Sequence, residues 1–124
     1  MYTQDCLVSE CLPPHPVVVA SHRDDIAASM RLDGWAGRPL LGWWDEASGT
    51  VYLLTGSHRY AAARAAGLDE VPVALVDVSD GRLKSHGDEL RLDGARLSDY
   101  CGGALLKMLR EEDQEAATLL EADC

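Results

Sequence analysis

The chain contains no phenylalanine, so the bulk of its core must come from aliphatic side chains and from Trp35, Trp43 and Trp44. No apolar run approaches the roughly 20 residues that a membrane-spanning helix requires. The N-terminal residues lack a charged-then-apolar leader pattern. A soluble, cytoplasmic protein without membrane contact is therefore expected. Cysteine occurs at 6, 11, 101 and 124, but never with CxxC spacing, so free, packed thiols are expected rather than zinc or haem ligands. Positive charge is also scarce. Lys and Arg number 11 against 21 acidic residues, a formal net charge of −10, and the excess is spread over the whole chain. A protein held on DNA needs a concentrated basic face, because neutralising phosphates supplies most of the affinity. No such stripe is present, and DNA is not expected as the main ligand.

What is present suffices for one folded domain: 124 residues, 47% of them hydrophobic. Residues 5–12 read as a first strand with Cys6, Val8 and Leu12 as its apolar members, and Pro13, Pro14 and Pro16 then impose an extended path. Ser21-His22-Arg23-Asp24 resembles a capping box, predicting a helix to about Asp33 with Ile26, Ala27 and Met30 on one face and Gly34 as its stop. Arg38–Trp44 and Thr50–Thr55 read as a hairpin turning through 45–49, with one of Trp43 and Trp44 in the core and the other exposed. Val71–Val78 is a further strand. Residues 80–94 turn polar and glycine-rich and read as a connection. Beyond them, Leu97, Tyr100, Cys101, Ala104, Leu105, Met108 and Leu109 repeat at helical spacing, and Ala116, Leu119 and Leu120 resume the stripe after Glu111-Glu112-Asp113. The tail is either one long helix or two short ones, and its apolar face must land on its own domain or on a partner.

The segment richest in chemistry is Gly56-Ser57-His58-Arg59-Tyr60. An apolar strand precedes it, and an alanine-rich helix follows, closed by Gly67. A glycine turn opening a helix aims free backbone N–H groups at one spot, which attracts anions. His58 and Arg59 stand in the first helical turn, where the macrodipole disfavours cations. They are held outward by solvent and neighbouring carboxylates (Asp69 or Glu70), or inward by a bound anion.

The order from the helix ending at Gly34, through Arg38-Pro39-Leu40-Leu41, the hairpin, Thr55-Gly56-Ser57-His58-Arg59-Tyr60-Ala61-Ala62 and Gly67-Leu68, to Val71-Pro72-Val73 resembles the N-terminal domain shared by ParB partition proteins, sulfiredoxins and free serine kinases. The resemblance covers roughly residues 5–79 and implies an α/β (α+β) fold: a small mixed sheet with packed helices, here carrying one or two C-terminal helices. Residues 1–79 are read as that core, and residues 80–124, to which the resemblance does not extend, as a linker and acidic helical extension of the same domain. In those families the box holds nucleotide phosphates: CTP in partition proteins, ATP in sulfiredoxins, ADP or ATP in the kinases. By resemblance, Gly56 gives the backbone room to approach phosphate, Ser57 offers its hydroxyl and N–H, Arg59 clamps phosphate oxygens, and His58 adds a hydrogen bond or a proton. Arg38 and His15 are additional candidates, and Mg²⁺ would accompany a phosphoryl-transfer reaction.

The departures narrow the chemistry. Sulfiredoxins carry a catalytic cysteine where this chain has Ser57, a hydroxyl with no evident base beside it, so thiol-based repair is not expected there. The kinases place an acidic residue shortly after a Pro-His pair; here Pro14-His15 is followed by Pro16 and three valines. Partition proteins have an Arg-Arg pair in the box and a following helix-turn-helix, for which residues 80–124 are too few and too acidic. The expectation is a nucleotide- or phosphate-binding protein, with phosphotransfer or NTP hydrolysis undecided. The alternative is an inactive interaction or regulatory module whose C-terminal helix docks a protein partner or makes a homodimer. A partition-type or nuclease-like DNA role ranks below both.

Overall fold

The computed structural model describes residues 2–14, 19–78, 81–92 and 103–123. His15, the N-terminal half of the expected tail helix (Leu97, Tyr100, Cys101) and Cys124 lie outside them. A five-stranded mixed sheet runs in the order β1-β5-β3-β4-β2. Its strands are β1 (Tyr2–Leu7), β2 (Cys11–Leu12), β3 (Leu40–Asp45), β4 (Thr50–Leu53) and β5 (Glu70–Leu75). The first expected strand is thus two, separated by a 3-10 turn at Val8–Glu10. That turn carries the chain from one edge of the sheet to the other, so Cys11, not Leu12, is the buried member of β2. β3 pairs antiparallel with β4 and parallel with β5, the latter arrangement requiring a crossover, which helix α2 (Ser57–Ala65) supplies.

Strand alternation sends each side chain to one of two faces. Leu40, Val51, Leu53, Val71 and Val73 meet α1 (Ala20–Asp33) and α2, whose Ala27, Met30, Ala62 and Ala63 are buried against them. Leu41, Trp43 and Ala74 face the opposite way, onto α3 (Ala104–Glu112) and α4 (Gln114–Ala122). The C-terminal helices therefore cover the second face of the sheet, with Leu105, Leu109 and Leu120 buried there. Of the tryptophans, Trp43 is buried and stacks on Tyr52 with ring centroids 4.9 Å apart, while Trp44 stays 44% exposed.

Three local outcomes differ from the sequence expectation or resolve it. Helix α1 begins at Ala20 with Val19 at its N-cap and no side-chain cap, so the Ser21 capping box does not form, while Gly34 ends the helix at φ +73°. Residues 80–94, expected to be a connection, contain the hairpin β6 (Arg82–Ser85) and β7 (Asp88–Arg91). Its two-residue turn is His86-Gly87, with positive φ at both positions, as tight hairpins require. The tail forms two helices. Asp113 divides them, ending α3 through its N–H to Leu109 O (2.7 Å) and capping α4 by accepting the Ala116 N–H (3.2 Å).

Candidate functional site

Helix α2 starts immediately after Gly56, which adopts the left-handed conformation (φ +79°, ψ 32°). The glycine is demanded twice over: an L side chain is strained at that φ, and a Cβ there would overlap Leu40 Cδ2 in the core and approach Arg59 Nη2 to 3.4 Å. Backbone conformation and core packing by themselves select glycine here. The N–H groups of the first helical turn have no acceptor within the helix. Gly56, Ser57, His58 and Arg59 line a cavity of about 310 Å³ whose other walls are His22, Ile26, Arg38, Ala122 and Asp123. Larger cavities lie elsewhere, beside Tyr60 and Arg64 and beside Trp43 and Trp44, but neither is lined by Gly56, Ser57, His58, Arg59 or Arg38.

Ser57 is 4% exposed and its Oγ, though buried, has no hydrogen-bond partner. Buried hydroxyls are rarely left so, because an unmet hydrogen bond costs about 1–3 kcal/mol. Arg59 is held on every side. Its Nη1 donates to Arg38 O (2.8 Å), its Nη2 donates to both carboxylate oxygens of Asp123 (2.8 and 3.0 Å), and its guanidinium lies 5.5 Å from the centre of the Trp35 ring. Burial pulls the Arg59 pKa below its ordinary value; the Asp123 carboxylate opposes that shift, and the Arg38 charge adds to it. A guanidinium nevertheless stays charged at neutral pH. Arg38 joins from the loop before β3, donating to Ala122 O (2.9 Å) and pairing with Asp123. The carboxylate beside Arg59 is thus Asp123, 64 positions away, and not Asp69 or Glu70.

His58 has a structural task at one of its nitrogens. Its Nε2 accepts the Val19 N–H at 3.1 Å, tying the start of α1 to the start of α2, and its ring meets His22 edge to face at 5.2 Å. A protonated Nε2 could not accept that bond. Tyr60 faces the core, its hydroxyl lying 2.9 Å from Val8 O and 3.2 Å from Cys11 O. Arg31 bonds to Ala65 O and does not join the cavity. Reasoning from sequence missed Asp123, Ala122 and Trp35. Asp123 carried no signal beyond its place in an acidic tail, and Trp35 no more than its nearness to the hairpin. Among the described residues no three His, Cys, Asp or Glu side chains converge as a metal site would require, and no helix is long and apolar enough to cross a membrane.

No protein-family model and no curated protein matches the sequence. Solved structures do. The chain is similar to sulfiredoxin from Arabidopsis thaliana (18% identity, TM-score 0.54, covering 63% of this chain and 88% of that one). It is also similar to the chromosome-partitioning protein ParB from Caulobacter crescentus complexed with CTP-γ-S (18% identity, TM-score 0.56, covering all of this chain and 73% of that one). A conserved hypothetical protein from Pyrococcus furiosus matches at 19% identity and a TM-score of 0.54, over 66% of this chain but only 35% of its own length. The fold is that of the ParB/sulfiredoxin group, a mixed sheet with packed helices and a C-terminal helix pair.

Proposed function

We propose that this chain binds a phosphate-bearing ligand, a nucleotide in the first instance, at the N-terminus of α2. The reading is carried by the cavity that Gly56, Ser57, Arg59 and Arg38 line together at the start of α2, where the Ser57 Oγ is buried without a hydrogen-bond partner. Phosphate oxygens would accept from the first-turn N–H groups, from the Ser57 hydroxyl and from the guanidinium groups of Arg59 and Arg38. His58, bonded through Nε2 to Val19, would serve mainly by fixing the entry of α2. His15 precedes α1 and is retained as an additional candidate. Binding of CTP-γ-S by the Caulobacter neighbour supports a nucleotide as the ligand class. ATP, ADP and CTP are the ligands to try, with Mg²⁺ as the companion ion.

No carboxylate in this cavity is offered for catalysis, because Asp123 already faces both arginines. Binding rather than turnover is therefore the proposed activity. The same ion pair favours a second reading, in which the arginines form a fixed clasp and the chain is an interaction module acting through its C-terminal helices. DNA is not proposed as the main ligand, given the net charge of −10; retardation of duplex DNA at low salt would overturn that.

Thermal melting separates the readings. It is run with and without millimolar ATP, ADP or CTP plus Mg²⁺, on the native chain and on Asp123→Asn. A ligand at a hundred times its Kd stabilises by about 2.7 kcal/mol, a readily measured rise in Tm. Arg59→Ala and Ser57→Ala should abolish the rise. No rise with any nucleotide in either chain would refute the binding reading in favour of the interaction module.

A further inference from the structure

The C-terminus of α4 lies against the N-terminus of α2, with two arginines between them. Arg38 caps the helix end through Ala122 O, and Arg38 and Arg59 both pair with Asp123, whose side chain is only 11% exposed. The Asp123 carboxylate thus accepts through both oxygens from the Arg59 Nη2, a charge-assisted contact of the kind a phosphate would make. The carbonyls at the end of α4 add the negative pole of that helix to the same spot. Nothing in α4 itself requires this contact: the helix is anchored elsewhere, by Ala116, Ala117 and Leu120 in the core and by the Asp113 cap. Asp123 follows the last helical residue as its C-cap, so its departure would need only the final turn to fray.

From this arrangement, and resting on the phosphate-site reading above, we propose that Asp123 is a built-in competitor for the anion site. Its carboxylate occupies the arginine pair when no ligand is bound, and an incoming phosphate displaces it and frees the last turn of α4. The chain then has two states. In the closed state the arginines are neutralised internally and α4 is fixed to its end. In the open state the phosphate holds the arginines, and the terminal turn of α4 is available to report occupancy to a partner. The apparent affinity is the intrinsic affinity scaled by the open fraction, so a closed state populated about ten to one weakens binding about tenfold.

The test uses the full chain with ATP, CTP and inorganic pyrophosphate as probes. Calorimetry measures affinity for the native chain, for Asp123→Asn, which keeps the shape and removes the charge, and for Asp123→Ala. Amide exchange at Ala122 and Asp123 is followed in the native chain as probe is added. The expected result is about tenfold tighter binding of at least one probe by both variants, with faster exchange of the terminal amides on binding to the native chain. A purely structural ion pair would lower the Tm of the variants without tightening binding. Equal binding by native chain and variants would overturn the competitor and leave the phosphate site standing. Weaker binding by the variants would also overturn it, placing Asp123 among the ligand's own contacts. Absence of binding in all three chains would remove the site, and the competitor with it.

Discussion

Gly56 is the position at which fold and candidate site make the same demand, and Gly56→Ala measures how large that demand is. Two costs add. The residue sits at φ +79°, a conformation that costs an L-residue about 1–2 kcal/mol. The new Cβ would also overlap Leu40 Cδ2, and Leu40 is fully buried, so it cannot swing into solvent to relieve the clash. Overpacking of this kind costs about 1–3 kcal/mol, giving a total of roughly 2–5 kcal/mol. Gly67 is the internal control: it has the same φ of +79°, yet a Cβ there meets nothing within 4 Å. Gly67→Ala should therefore show the conformational cost alone, about 1–2 kcal/mol. The assay is urea unfolding of both variants beside the parent, with midpoint and slope fitted together. Gly56→Ala should be the less stable of the two by at least about 1 kcal/mol. Equal losses would refute the steric part, and would mean that Leu40 repacks without penalty.

Two further outcomes follow from single side chains. Asp113→Ala removes the cap of α4 while leaving both helices their apolar anchors, and should lower stability by about 1 kcal/mol; Asp113→Asn, which retains the acceptor, should recover most of that in the same melt. Cys11 is buried, and desolvation, with Cys6 and Glu10 adding to it, pushes its thiol from an ordinary 9.0 up to about 12. The unfolded chain then loses this proton before the folded one, so stability should fall as pH rises from about 9 towards 12. Cys11→Ala should flatten that fall in unfolding midpoints measured between pH 8 and 10.5, and an unchanged slope would contradict the assignment.

Much of the fold could be read from residue order because its signals are local. Gly34 and Gly67 end helices, the alternating pattern around Trp43 and Trp44 separates a buried from an exposed ring, and the alanine-rich run after Gly56 forms a helix at Ser57–Ala65. The β6–β7 hairpin was not legible, because its turn is His86-Gly87 rather than the Asn-Gly or Asp-Gly that marks such turns, and its four-residue strands bury little beyond Leu83 and Ser85. Splitting residues 5–12 into two strands on opposite edges of the sheet was equally hidden. It depends on which neighbours β1 and β2 find, β5 in one case and β4 in the other.

The candidate site divides the same way. Residue order alone determined that a glycine turn, a helix start, Ser57 and two cations would coincide, since all lie within a few bonds of one another. It also posed the electrostatic problem of cations at the positive end of a helix. Only the tertiary structure decided how that problem is met. Packing α3 and α4 on the second face of the sheet brings the C-terminal end of one helix to the N-terminal start of another, and delivers Asp123 to Arg59. Tertiary packing also decides that Ser57 Oγ is buried without a partner. A partner 64 positions away is chosen by the burial of Leu105, Leu109 and Leu120, side chains that carry no information about charge until the sheet gives them a place to pack.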